Sequence, residues 1–431
     1  MVKQVLDGHV LGPLARLLSA RVTVNTFYLA LSSALQYALS FVTGVLVARM
    51  LGADALGVFG LASAVGQIAY RLADCGMITI LTRLISRSDP DARQRFRAAM
   101  AFRLWTGIAS VAAVEAFALL AGYDLDLQTA LLLYAGSQLI AGLRELGSTL
   151  YYGRQAMARP AAAAVVFRLT SFLLSAMFLV AGLGVVWTIL ALLIGQAAAA
   201  WYLAAGPESE ARQLPVRFSG RGVGALLRES YPIAVAGIFA MINLRADAVI
   251  LSLYVDQSAL GLYNGAYALI IGFALFPTSF LPALYPALAQ RFQTARADAV
   301  KLFLRSQLLS VGLGLGLAVG LTLTARWLMT VLYGPAFSAG GPILAILGWA
   351  VLCMYVSYAN STFFNAVDRQ DLNLWTAVLA GVVNVGANFV LVPRLGALGA
   401  AWATVLSEAT FLASTSVLTG WLISGYRAGN A

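Results

Sequence analysis

Twelve stretches of mostly apolar residues run through this chain, each close to the roughly 20 residues that a helix needs to cross a hydrocarbon core of about 30 Å. They fall near 26–47, 56–80, 98–121, 128–150, 161–181 and 184–205, then near 230–251, 261–285, 306–332, 342–364, 372–393 and 397–420. In a bilayer the backbone has to satisfy its own polar groups, so runs of this length predict α-helices. Composition supports the same reading. With 61% hydrophobic and only 11% charged residues and a mean hydropathy of +0.83, 431 residues carry more apolar surface than a water-soluble fold can hide.

The chain is also written twice. Ala55-Leu56-Gly57-Val58-Phe59 returns 204 positions later as Ala259-Leu260-Gly261-Leu262-Tyr263, and Leu183-Gly184-Val185-Val186-Trp187 returns 215 positions later as Leu398-Gly399-Ala400-Ala401-Trp402. Gly153-Arg154-Gln155 against Asp368-Arg369-Gln370 keeps the second offset, so one 11-residue insertion reconciles the two copies. Each copy holds an even number of spans, which makes the copies parallel. The expectation is an all-α polytopic membrane protein of about twelve transmembrane helices, in two parallel six-helix bundles related by a pseudo-two-fold axis along the membrane normal. Its parts are an amphipathic N-terminal segment over 1–25, a first bundle over 26–205, a basic linker over 206–229 and a second bundle over 230–431.

Of the 28 Lys and Arg residues, 21 fall in loops and ends on one side of this topology, and only Arg49, Arg326 and Arg394 on the other. Basic residues in short loops stay cytoplasmic, which predicts both termini inside. The same rule accounts for the net charge of +10 without nucleic acid as a partner. Leu11, Leu14, Leu17 and Leu18 suggest an interfacial helix before the first span, where no apolar core of a cleaved signal peptide stands. Cys75 and Cys353 form no CxxC pair, and His9 is the lone histidine, so no metal site and no cofactor are expected. There is no phosphate-binding Gly-rich loop, no nucleophile elbow and no catalytic set. Any uphill movement would draw on an ion gradient (H+ or Na+), the membrane potential or coupled substrate consumption.

Two stretches resemble the polysaccharide-unit exporters of the multidrug, oligosaccharidyl-lipid and polysaccharide flippase superfamily. The first is Leu51-Gly52, Leu56-Gly57-Val58-Phe59, Leu72-Ala73-Asp74-Cys75-Gly76 and Arg83; the second is Asn384, Asn388, Leu391-Val392-Pro393-Arg394, Gly396-Ala397-Leu398-Gly399-Ala400-Ala401 and Ala403-Thr404. The resemblance implies a transporter in a bacterial cytoplasmic (inner) membrane, moving an undecaprenyl-pyrophosphate-linked oligosaccharide to the outer leaflet by alternating access, alone or beside a polysaccharide polymerase or co-polymerase. Lipid II flippases of the superfamily carry two further spans, and the sequence stops soon after Tyr426. Drug-extruding, ion-coupled relatives usually carry an acid in the first span, and 26–47 has none. A membrane glycosyltransferase or ligase acting on the same lipid would need outer-loop acids, of which Asp124, Asp126 and Asp256 are the main ones.

Charge inside a span is costly, about 2.5–3.5 kcal/mol per arginine on insertion scales, so it marks function or a partner. Arg71, Arg144, Arg168 and Arg245 lie within expected spans, while their repeat equivalents are Leu275, Ala359, Val383 and Phe41. The scaffold therefore does not require these charges. A guanidinium forks onto phosphate oxygens and stays protonated at any workable pH, so these four are the candidate pyrophosphate ligands. Glu115, Glu408, Asp74, Glu145 and Asp247 are candidates for ion coupling, or plain charge partners. Arg71 and Asp74 sit at i, i+3, whereas Arg144 and Glu145 point about 100° apart and are less naturally paired. Asn360, Asn384 and Asn388 offer either interhelical hydrogen bonds or sugar contacts. Pro277, Pro282 and Pro286 suggest a kinked eighth span, Gly312-Leu313-Gly314-Leu315-Gly316 with Gly320 close helix packing, and Trp105, Trp187, Trp327, Trp402 and Trp421 interfacial anchors.

Overall fold

Helix is the local answer to an apolar surrounding, and it runs through almost all of the computed structural model, which describes residues 20–206 and 220–427. The expected helix on Leu11, Leu14, Leu17 and Leu18 lies outside the described residues, as does most of the 206–229 linker. The helices are α1 (Ala20–Asp74), α2 (Met77–Ser86), α3 (Ala92–Leu120), α4 (Leu125–Gly153), α5 (Ala158–Val180), α6 (Val185–Ala204) and α7 (Gly220–Ser252). They continue with α8 (Gln257–Thr294), α9 (Arg296–Tyr333), α10 (Gly341–Ala366), α11 (Gln370–Leu395) and α12 (Ala397–Arg427). Eight stretches among the described residues are long and apolar enough to cross a membrane. One of them, in α1, contains two spans, and α4, α8 and α12, of 29, 38 and 31 residues, supply the other three. The chain is an all-α polytopic membrane protein with its expected spans in order.

The two spans of α1 are separated at Gly52, whose φ of 86° and ψ of −171° break the helical path. A built Cβ there meets nothing within 4 Å, so the requirement for glycine is conformational rather than steric. The second span is shorter than the expected 56–80. It stops at Asp74 because Cys75 and Gly76 take positive φ, and the Asp74 carboxylate accepts the Gly76 N–H at 3.2 Å. Beyond this turn the chain enters α2, a short helix that buries Met77, Ile80, Leu81 and Leu84. Helix α7 begins at Gly220, within the range expected for the linker. Arg103, one of the 21 basic residues expected in loops and ends, lies instead on α3 and is buried. On the far side Arg49 donates to the carbonyls of Val331 and Leu332, where α9 ends and its carbonyls lack helical partners.

Glycine decides the tightest contact. A Cβ on Gly57 would strike the carbonyl of Gln257 and lie 3.2 Å from Gly261 N, while one on Gly261 would strike the carbonyl of Ala53 and lie 3.0 Å from Gly57 N. Gly57 and Gly261 are repeat equivalents, and so are Ala53 and Gln257. The second half of α1 and the start of α8 therefore cross about a local two-fold axis, each copy of the motif touching the other with bare backbone. One turn on, Gly60 leaves room for the Asn264 amide, its own equivalent. The run of glycines on α9 is different from its expectation: Gly314 packs on Leu352 and Tyr355 of α10, but Gly312, Gly316 and Gly320 face open space. Helix α8 continues through Pro277, Pro282 and Pro286.

Two compact units result, and their boundary does not coincide with the repeat. One comprises Met1–Thr43, Leu72–Ala116 and Leu132–Ala234, as far as those segments are described; the other comprises Gly44–Arg71, Phe117–Leu131 and Val235–Ala431. In the first, Met77, Leu81, Phe96, Leu146 and Leu203 bring α2, α3, α4 and α6 into one core. In the second, Phe292, Phe303 and Phe363 stack α8, α9 and α10, with ring centroids 4.7 Å and 5.2 Å apart. The five tryptophans expected as anchors are all exposed on the helix surfaces.

The glycine crossing makes a sharp prediction. Gly57→Ala and Gly261→Ala should each destabilise the protein by about 1–3 kcal/mol, because backbone cannot yield to the new methyl as a side chain could. Gly316→Ala, with nothing near it, should stay within about 0.5 kcal/mol of wild type. Thermal unfolding of the three variants in detergent would check this, and equal melting temperatures would refute it.

Candidate functional site

Arg144 projects from α4, 9% exposed, and its nearest charge compensation is thin. Its Nε donates to Gln196 Oε1 on α6 at 3.1 Å, and its Nη2 donates to Glu145 Oε1 at 3.3 Å. The adjacent pair does meet, because two long side chains bridge the angle that separates their Cα–Cβ directions. Glu145 itself is 42% exposed, so its charge is shared with the surroundings. Arg168 on α5 lies within electrostatic reach of Arg144 and of Tyr134. Its Nε is buried without a hydrogen-bond partner among the described residues, and its guanidinium rests 4.7 Å from the Phe167 ring. Among the described residues, two guanidiniums and one half-exposed carboxylate leave a surplus of positive charge. An anion placed between them would offset that surplus.

The other expected acids of the first unit are Asp74 and Glu115. Asp74 closes the turn after α1, and its charge and that of Arg103 both act at Cys75. Arg103 lies over Gly142 of α4, where any Cβ would occupy its guanidinium. Glu115 on α3 has one carboxylate oxygen, Oε2, buried without a hydrogen-bond partner among the described residues.

The second unit holds a separate polar cluster. Arg245 on α7 donates to Gln67 Oε1 on α1 at 3.2 Å. Asp247, 2% exposed, accepts from the Tyr263 hydroxyl on α8 and from the Ala248 N–H at 2.8 Å. Tyr263 in turn lies 3.3 Å from the Thr404 hydroxyl on α12 and stacks on Tyr267 at 5.7 Å between centroids. The Arg245 and Glu408 charges both reach Tyr267, and Glu408 also acts on Tyr358. Glu408 makes no hydrogen bond or ion pair among the described residues. Arg71 lies against Gly237 of α7, whose Cβ would come within 3.2 Å of Arg71 Nε.

Asn360 acts as an interhelical tie. Asn360 accepts from Gln307 at 3.3 Å and donates to Thr415 and Ser416 at 3.2 and 3.1 Å, which joins α9, α10 and α12 through both ends of its amide. Asn388 donates to Asn384 on the same helix, both fully buried. Gln67, Gln196 and Tyr263 were not singled out from the sequence. A lone amide inside an apolar span was the available signal for the two glutamines; for Tyr263 it was the hydroxyl that distinguishes it from its equivalent Phe59.

Known proteins share both the sequence pattern and the fold. The model of the polysaccharide biosynthesis protein family matches residues 22–292, and that of the lipid II flippase MurJ matches 208–420. The chain is 29% identical over 165 residues to the probable flippase AglR of Haloferax volcanii, covering 37% of this chain and 34% of that protein, so the match spans about a third of that relative's length. It is 24% identical over 376 residues to the succinoglycan biosynthesis transport protein ExoT of Rhizobium meliloti, covering 85% of this chain and 73% of that one. A multidrug resistance MATE family transporter of the MOP superfamily, in an inward-facing conformation, has the same fold at a TM-score of 0.75 and 14% identity, over 92% of this chain and 96% of that one.

The buried Asp247 is held chiefly by one hydroxyl, which can be tested. Tyr263→Phe leaves the carboxylate with a lost donor and should cost about 1–3 kcal/mol. In an Asp247→Asn background, where the charge is gone, the same change should cost much less. A double-mutant cycle on thermal unfolding would measure the coupling, and additive effects would contradict the contact.

Proposed function

The chain belongs to the polysaccharide biosynthesis protein family, and from that premise we propose that it is a flippase carrying an undecaprenyl-pyrophosphate-linked oligosaccharide, a polysaccharide repeat unit, from the cytoplasmic to the outer leaflet by alternating access. It is a transporter and makes or breaks no covalent bond; the family, the flippase relatives and the fold together support this. The observation that carries the substrate reading is the Arg144 and Arg168 pair, which has more positive charge than its surroundings neutralise. A lipid pyrophosphate brings the missing negative charge and oxygens that a guanidinium fork matches. Removing a diphosphate from water is otherwise prohibitive, so a translocating protein has to offer charged donors in exchange.

Arg245 and Arg71 are proposed as further phosphate contacts, with Gln67 orienting Arg245. Glu408, without an ion-pair partner among the described residues, is the proposed coupling residue for H+ or Na+; Glu115, with its orphaned oxygen, is the alternative. The excess of basic residues on one side of the topology supports placement in a bacterial inner membrane with both termini in the cytoplasm. A polymerase or co-polymerase would then receive the unit on the other side. A lipid II flippase is the second reading, on the match over 208–420. The arginine pair would serve either substrate, since both present a polyprenyl pyrophosphate.

Complementation separates these readings. In a strain lacking its own repeat-unit flippase, surface polysaccharide should return with the wild-type gene. Arg144→Ala and Arg245→Ala should cut it at least about tenfold at equal protein level, the effect of losing one charge-assisted hydrogen bond of about 1.5–3 kcal/mol. Wild-type export by both variants would exclude the arginine mechanism, and rescue of a strain depleted of its lipid II flippase instead would favour the second reading.

A further inference from the structure

Where α8 ends and α9 begins, a cavity of about 520 Å³ opens between Arg291, Ala295, Asp298, Lys301, Leu302 and Arg305. Its charges do not balance. Asp298 is bonded to Lys301 at 3.2 Å, a pairing one turn apart on an exposed helix, and Arg291 and Arg305 remain as a surplus on the cavity wall. None of these residues takes part in the two clusters described above, so the cavity has no place in the proposed transport path.

Its level in the bilayer is set by α9 itself. Residues 306–325 contain no charged side chain and are bracketed by Arg305 and Arg326. Twenty residues at about 1.5 Å each span about 30 Å, the thickness of the hydrocarbon core. Arg305 therefore marks one edge of that core, at headgroup level, with Lys301 one turn further out. Just inside the edge, Leu308 and Leu309 are 74% and 47% exposed. Positions 301, 305 and 308 succeed one another along one helix face, so cations give way to lipid-facing leucines on the same stripe. A phosphate above, with two apolar chains below, has this polarity.

We propose that the α8–α9 hairpin binds one anionic phospholipid of the surrounding leaflet, its phosphate in the cavity against Arg291, Lys301 and Arg305 and its acyl chains along Leu308 and Leu309. The occupant is a phospholipid rather than a water-soluble anion because the cations continue without a break into lipid-exposed surface. The exposed, hydrated setting of these three cations also differs from the buried Arg144 site, which suits an exchangeable headgroup.

Native mass spectrometry of the full-length protein in a zwitterionic detergent tests this, with phosphatidylglycerol, phosphatidylcholine or geranylgeranyl diphosphate added. The wild type should retain one phosphatidylglycerol, with at least about fivefold preference over phosphatidylcholine, the effect expected for one interfacial cation. The triple variant Arg291→Gln, Lys301→Gln, Arg305→Gln should lose that preference, and Arg326→Gln, at the other edge of the core, should keep it. If the triple variant fails to melt cooperatively, Arg305→Gln alone is read by the same criterion. Undiminished preference in the substituted protein, equal retention of phosphatidylcholine by the wild type, or displacement of phosphatidylglycerol by equimolar geranylgeranyl diphosphate would each overturn the assignment.

Discussion

Two backbones, at Gly57 on α1 and Gly261 on α8, touch where no side chain fits, and this contact holds together two helices of the second unit that are distant in sequence. It gathers the second half of α1 with α8, although more than 200 residues separate them in sequence. Because the two glycines occupy the same place in the two copies of one motif, the contact is reciprocal: what one copy requires of its partner, the partner requires of it. A larger residue at either position would break the same contact, which gives both copies of the motif the same steric requirement. The same crossing aligns α1 and α8 for two polar contacts further along them, Gln67 with Arg245 and Tyr263 with Asp247.

On this shared scaffold the copies differ where chemistry is proposed. The second copy has Asp247 and Tyr263 where the first has Thr43 and Phe59, so the buried acid and the hydroxyl that satisfies it are found together or not at all. Arg144 and Arg168 have apolar equivalents in the second copy, and their surplus charge is a cost to stability that the bundle does not need. A cost of that kind is understandable if an anion visits the site.

The spans, their order and the helical class were legible because apolar length and backbone satisfaction leave a chain in lipid few choices. Boundaries were harder. The second span ends at Asp74 rather than near residue 80 because Cys75 and Gly76 adopt positive φ, which an apolar count through Met77 and Ile78 conceals. Arg103 was counted as a loop cation because it comes after a basic run, and its burial depends on Gly142, almost 40 positions away on another helix. The arginines of the site were found by their misfit with the repeat. Their partners were missed, since Gln196 and Gln67 carry no charge and only packing shows whom they face. For Asn360, polarity within a span left interhelical bonding and sugar contact both open, and only packing shows its amide bonded to two neighbouring helices.

Surplus charge at Arg144 and Arg168 is proposed to handle a lipid pyrophosphate during translocation, and the rest of the transport account rests on it. The most direct measurement is leaflet exchange of a fluorescent polyprenyl-diphosphate glycan in proteoliposomes containing the full-length protein. Wild type should accelerate exchange over empty liposomes, and Arg144→Gln, Arg168→Gln together should return it to the empty-liposome rate while the protein stays folded. Exchange by that double variant at the wild-type rate would contradict the account.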